Sequence, residues 1–236
     1  MKQIDVCLTP DLLDLHRMEN TIVVVADVFR ATSCMVTAFA YGVRSIVPVA
    51  TIEECQRYQE RGFLAAAERN ARKVEGFELD NSPFTYMDER IRGLDVAMTT
   101  TNGTLAITKS RSAVKVLVGS FLNLEAIASY LRTEPYDVLV LCAGWKGRVN
   151  LEDTLFAGAL VERLKTSYAL AEDSAIMAGR LYEQGKDNLI GYMANASHIR
   201  RLQKLGIQKD ITYCLQHDLY DVIPVLRGTS LVAMES

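Results

Sequence analysis

The chain has 236 residues, 49% of them hydrophobic and 23% charged, with a formal net charge of −3. That balance excludes a disordered chain and a strongly basic nucleic-acid grip, and the length allows one large domain or two small lobes. No apolar run approaches the ~18 residues of a membrane span, and MKQIDVCLTPD has neither a basic n-region nor an apolar h-region. A cytoplasmic protein with no membrane or nucleic-acid partner is expected.

In chain order, apolar runs of strand length alternate with helical patterns, which predicts a layered α/β/α fold with a largely parallel or mixed sheet. TIVVVAD (21–27) reads as a strand buried on both faces. A helix over 30–41 follows, with Ala31, Cys34, Met35, Ala38 and Phe39 on one face and Gly42 at its end. SIVPV (45–49) is a short strand whose Pro48 suits an edge or a strand end. Thr51 and Glu54 then form a capping box for a helix ending near Gly62.

FLAAAE (63–68) reads as a strand, 69–93 as mostly loop, DVAMTT (95–100) as a strand and 103–110 as a helix. Strands at 115–120 and 137–144 flank a helix at 122–132, and a long helix runs from about Leu151 to Lys165. Beyond 166 the pattern is mainly helical, with a strand-like end around 222–233. The chain is expected to be a single unit over 1–236, with lobes 1–120 and 121–236 and the site between them. Hydrophobic helix faces after residue 150 would pack internally or at a homo-oligomer seam.

The predicted strands end in Asp27, Glu68, a threonine cluster, Gly119-Ser120 and Cys142-Ala143-Gly144. In open α/β sheets, ligands bind beyond the carboxyl ends of the strands, so these tips either gather at a common cleft or are the polar turn residues in which strands usually end. AMTTTNGTLAI (97–107) places Thr100, Thr101, Asn102, Gly103 and Thr104 at a strand-to-helix junction. Helix amides there favour an anion, and the segment reads equally as an ordinary N-cap at Thr101 or Asn102.

In DVFRAT (27–32), Asp27 can hold a metal or cap a helix, and Arg30 can clamp phosphoryl oxygens or pair with Asp27. Phe29 stands where a haloacid-dehalogenase phosphatase would carry its second Asp, which disfavours that mechanism. CAGWKGR (142–148) has the Cys-x5-Arg spacing of cysteine phosphatases, so Cys142 with Arg148 is an alternative nucleophile site. Glu152 and Asp153 serve either as first-turn acids after an Asn150 cap or as magnesium ligands. Arg69, Arg72 and Lys73 read as a solvated run, and Trp145 as a packing plug or a lid. The five cysteines and three histidines show no CxxC or HExxH spacing, so oxygen ligands and Mg²⁺ are the expected metal chemistry.

Together, DVFRAT, ER-N with EGFELDNSP (68–83), TTTNGT (99–104) and CAG with LED (142–153) resemble the 2-phosphosulfolactate phosphatase family. The resemblance runs in order from residue 27 to about 160. It implies an α/β enzyme that uses magnesium to hydrolyse 2-phospho-3-sulfolactate to 3-sulfolactate and phosphate, a step of coenzyme M biosynthesis. Asp27 and Arg30 match the family's DVLRAT, Glu68 its GE, Asn81 and Ser82 its GNSP, and Thr100 to Thr104 its TTNGT. Two family glycines are replaced here, by Ala67 and Asp80.

The resemblance implies that Asp27, Glu152 and Asp153 hold one Mg²⁺, while Arg30 and the 100–104 amides bind phosphoryl oxygens. Glu68 would orient or deprotonate water, with Asn81, Ser82, Cys142 and Gly144 beside the substrate. A compact phosphorylated metabolite bearing sulfonate or carboxylate is the expected partner. A non-catalytic binder of such a metabolite is the alternative from another class.

Overall fold

The computed structural model describes residues 1–69 and 72–235, without the side chains of Arg69 and Arg72. The expectations for Asn70 and for those two arginine side chains fall outside the described residues. Lys73 is exposed, as a solvated cation should be.

Eleven strands form one mixed sheet: β1 (Gln3–Cys7), β2 (Thr21–Ala26), β3 (Ser45–Pro48), β4 (Leu64–Arg69), β5 (Arg72–Lys73), β6 (Asp95–Thr99), β7 (Lys115–Gly119), β8 (Asp137–Cys142), β9 (Ala169–Leu170), β10 (Pro224–Arg227) and β11 (Ser230–Ala233). Their spatial order is β5-β4-β6-β3-β11-β10-β7-β2-β8-β1-β9. The helices are α1 (Ala31–Ala40), α2 (Ile52–Gln59), α3 (Gly103–Lys109), α4 (Leu124–Thr133), α5 (Leu151–Leu164), α6 (Asp173–Gly185), α7 (Leu189–Tyr192), α8 (Ser197–Lys204) and α9 (Gln208–Cys214).

The parallel set β7-β2-β8-β1-β9 and the parallel set β4-β6-β3 lie on either side of the β10–β11 hairpin. That hairpin pairs antiparallel with β7 and with β3. Three successive antiparallel pairings make the two parallel sets run in opposite senses. Right-handed twist of roughly 20–25° per pair accumulates between them. Residues at the carboxyl ends of β2, β4, β6 and β8 meet in one cleft.

Hydrophobic burial fixes the centre of the sheet. Every residue of β2 is buried, with Val23 registered against Val116 of β7 and Leu139 of β8. Each such side chain contributes about 1.5–3 kcal/mol relative to full exposure. Helices α1 and α3 pack together over β2 and β7, while α4, α5 and α6 form a second group over β1 and β8. A smaller core of Val47, Val49, Cys55, Ala65, Ala67, Phe77 and Ala97 lies under α2. Ala67, in place of the family's glycine, is part of that core.

Local signals explain most element ends. Thr51 Oγ1 accepts from the Glu54 amide at 3.1 Å, and Glu54 Oε2 from the Ala50 amide at 2.8 Å, closing the predicted cap of α2. Gly42 ends α1 with φ +89°, a conformation L side chains rarely adopt. Pro48 closes β3 within the sheet rather than at its edge. Strand β1 is an addition to the sequence reading: QIDVC is short, carries Asp5, and is held by its parallel partners β8 and β9.

Candidate active site

A cleft opens where the carboxyl ends of the two strand sets meet. Asp27, Phe29 and Arg30 follow β2, Glu68 comes from β4, and Thr100, Thr101 and Asn102 follow β6. Asn81 comes from the turn before Pro83, Trp145 and Lys146 from the loop after β8, and His198, Arg201 and Leu202 from α8.

DVFRAT folds as a connected knot. The Asp27 amide donates to Thr32 Oγ1 at 3.0 Å, and the Thr32 amide to the Asp27 carbonyl at 3.0 Å. The Val28 amide donates to Asp153 Oδ1 at 2.9 Å, and buried Arg30 donates to Asp210 of α9. A Cβ built on Gly103 would stand 2.9 Å from Asp27 Oδ2 and 2.8 Å from the Ala31 Cβ. Glycine at 103 therefore lets α3 approach the Asp27 carboxylate.

The threonine cluster divides its work. Thr100 Oγ1 accepts from the Thr104 amide at 3.1 Å, and Thr104 Oγ1 donates to the Thr100 carbonyl at 2.9 Å. Thr100 thus closes the head of α3 from two residues before its N-cap, Asn102. The Asn102 side chain makes no cap bond; its Oδ1 accepts from the Lys146 amide at 3.3 Å. Thr101 and Asn102 are left on the cleft wall, and the bonds at the helix head come from Thr100 and Thr104 rather than from the Thr101 or Asn102 side chain that the sequence suggested.

Behind the cleft lie two buried acids. Asp153 Oδ2 accepts from the Gly144 amide at 3.0 Å; with Val28 on Oδ1, this carboxylate ties the loops after β2 and β8 together. Burial, then the charges of Glu152 and Asp27, push its pKa well up. Glu152 Oε1 is 2.5 Å from His198 Nδ1, and Glu152 Oε2 is buried with no hydrogen-bond partner. An unpaired buried carboxylate oxygen is costly and calls for a cation or a donor. Burial also pushes the Asp27 carboxyl up to about 6, with His198 acting against it and Glu152 reinforcing it.

Among the described residues, no three His, Cys, Asp or Glu side chains are grouped to hold an ion by protein ligands alone. Of the expected trio, Asp153 has a backbone amide on each of its oxygens, and Glu152 has one oxygen without a partner.

Of the residues singled out from sequence, Asp27, Arg30, Glu68, Asn81, Thr100, Thr101 and Asn102 line the cleft together. Ser82, Gly103, Thr104, Gly144, Glu152 and Asp153 lie outside its lining. Ser82 donates its amide to Asp80 Oδ1 at 2.8 Å, so Asp80, where the family has glycine, shapes the turn that presents Asn81. A Cβ on Gly144 would come 2.4 Å from the Arg148 carbonyl oxygen, so this glycine permits the tight turn carrying Trp145 and Lys146.

The cysteine-nucleophile alternative meets a direct obstacle. Cys142 is fully buried at the end of β8, registered against Ala26, and Arg148 is exposed. Burial, then Asp153, raises the thiol pKa well above its usual value, the reverse of an activated thiolate. Neither residue reaches the cleft lining.

Sequence reasoning missed His198, Arg201, Leu202 and Asp210. The first three share one face of α8 at i, i+3 and i+4. That spacing was legible, but the partners of His198 and Arg30, Glu152 and Asp210, are 46 and 180 residues away.

The family model for 2-phosphosulpholactate phosphatase matches residues 7–229. The chain belongs to that family. A relative from Thermotoga petrophila, named as a probable 2-phosphosulfolactate phosphatase, is 41% identical over 94% of this chain and 95% of its own length. A relative of the same name from Caldanaerobacter subterraneus is 40% identical over 87% of this chain and 88% of its own. One from Clostridium acetobutylicum is 34% identical over 94% and 96%. Family membership makes the chain a phosphatase, a phosphoric monoester hydrolase. No helix among the described residues is long and apolar enough to cross a membrane.

Proposed function

We propose that the chain hydrolyses 2-phospho-3-sulfolactate to 3-sulfolactate and phosphate, with Mg²⁺, in this cleft. The observation that carries the reading is the meeting of Asp27, Arg30 and Glu68 with Thr101 and Asn102 from separate strand ends. Phosphoryl transfer needs negative charge balanced on the phosphoryl oxygens and a positioned nucleophile. Arg30, oriented by Asp210, donates to those oxygens, and the hydroxyl of Thr101 and the amide of Asn102 supply further donors. Glu68 sits on the same wall to orient the attacking water and accept its proton. Asn81 Oδ1, buried without a partner, offers that water an acceptor.

Magnesium takes one or two carboxylates and keeps several waters, so Asp27 with the orphaned Oε2 of Glu152 fits it better than a three-carboxylate cage. Asp27 and Glu152 would hold the ion, and Asp153 would fix the loops that carry Asp27. When bound, the ion would supply Lewis-acid stabilisation of charge on the phosphoryl group. Five buried free thiols support a reducing, cytoplasmic setting and a place in coenzyme M biosynthesis goes with the substrate.

Phosphate release tests the reading. Wild-type protein with Mg²⁺ is expected to turn over 2-phospho-3-sulfolactate faster than simple alkyl phosphates, to stop in EDTA and to recover with added Mg²⁺. Release that ignores the chelator would overturn the metal assignment, and no release from the sulfonated ester would overturn the substrate.

A further inference from the structure

The wall of the cleft formed by Trp145, Lys146, His198 and Arg201 has no part in the chemistry above. Its charges are unlike that of Arg30. Arg30 is compensated by Asp210. Among the described residues, Arg201 and Lys146 have no carboxylate partner, so two positive charges face the cavity uncompensated.

Arg201 is also held in a fixed pose. Its guanidinium carbon lies 4.7 Å from the centroid of the Trp145 ring, whose other cationic neighbour is Lys146 Nζ at 4.9 Å. Arg201 Nη2 is 3.0 Å from His198 Nε2. The two ring nitrogens of His198 thus bridge Arg201 on one side and Glu152 Oε1 on the other. Glu152, His198 and Arg201 form a chain that orients the guanidinium from behind. Arg201 Nε is buried and has no partner. A buried, unpaired donor on a pre-oriented guanidinium awaits an acceptor.

We infer that Arg201 and Lys146, mounted on Trp145, bind a second oxyanion of the substrate, the carboxylate or sulfonate that is not transferred. They thereby select for polyanionic phosphate esters. This rests on the proposed phosphatase reading for the identity of the substrate, but the anion site itself does not depend on turnover. Arg201 supplies the directed donors, Lys146 a point charge at the mouth, and His198 is a positioning residue that acts through Arg201.

The chain has one tryptophan, Trp145, so its emission reports directly on this wall. Wild-type protein titrated with 3-sulfolactate, isethionate (sulfonate alone) and lactate (carboxylate alone) is expected to show a saturable change in emission. Arg201→Gln should weaken the 3-sulfolactate response by roughly 10- to 100-fold, the worth of a lost charge-assisted hydrogen bond. Whichever single-anion probe also loses its response identifies the group bound. Lys146→Met, at an exposed position that leaves the core intact, should weaken the same response by several-fold, and Arg201→Lys should restore part of it.

In parallel, the ratio of kcat/KM for 2-phospho-3-sulfolactate to that for an alkyl phosphate with no second anionic group should fall by a similar factor in Arg201→Gln. Unaltered 3-sulfolactate affinity in both Arg201→Gln and Lys146→Met would overturn the inference. So would equal losses of kcat/KM on both esters in Arg201→Gln. A wild-type protein that binds 3-sulfolactate through Arg201 yet releases no phosphate from any ester would instead refute the proposed function and leave the anion site standing.

Discussion

At Asp27, burial and charge act against each other, and the consequence is measurable without turnover. Its carboxyl is pushed up to about 6 from an ordinary 3.8, first by burial and then, against the pull of His198, by Glu152. Between those values the folded chain keeps a proton that the unfolded chain releases. The stabilising contribution is therefore full below about pH 4 and declines as pH rises through 6. Asp27→Asn removes the decline. In EDTA, the variant should gain on the order of 2 kcal/mol over wild type at pH 8 relative to their difference at pH 4, read by urea denaturation. It should also lose nearly all phosphatase activity. A stability difference that does not vary with pH would contradict the electrostatic account of this residue. Asp27, Arg30 and Glu68 were singled out in the sequence by their place after predicted strands together with the family motifs they match, and all three line the cleft. His198 and Arg201 were not: a histidine on an amphipathic helix acquires meaning only when Glu152 and Trp145 are brought beside it.

The elements contribute by carrying side chains to the cleft and bracing them there. Helix α9 reaches it only through Asp210, which holds Arg30 at the head of α1. Removing one partner of a buried ion pair costs roughly 3–5 kcal/mol, because the other charge stays buried. Asp210→Asn, which keeps a hydrogen-bond acceptor, should lower the melting temperature by several degrees and raise KM as Arg30 loses its orientation. Unchanged KM with a lowered melting temperature would make the pair purely structural. Most elements followed from sequence period and caps, including α5 and the helical stretch after 166. Strand β1 did not, since its alternation runs over only the four residues Gln3, Ile4, Asp5 and Val6, too short a run to stand out. The hairpin β10–β11 was visible as strand-like sequence, but not its place in mid-sheet. There each strand joins its outer neighbour through a single registered pair, Val225 with Leu117 and Leu231 with Ile46.

For the whole molecule, that hairpin decides where the chemistry sits. Two parallel sets of opposite sense, joined by an antiparallel hairpin, both send residues at their carboxyl ends into one cleft. The cleft thus has a wall from each set and a third from α8. The sequence pointed to a shared rim but not to its cause, because strand sense is settled by pairings more than a hundred residues apart. In the proposed function, Asp27, Glu68 and Arg30 act on the phosphoryl group, and Lys146 with Arg201 would bind the second anion. The account's central claim is that one cleft receives the phosphate ester between these walls. A crystal structure of the protein with Mg²⁺ and 3-sulfolactate tests this most directly. The account predicts the ion against Asp27 and the product between Arg30 and Arg201; product bound elsewhere, with the cleft filled only by solvent at saturating ligand, would contradict it.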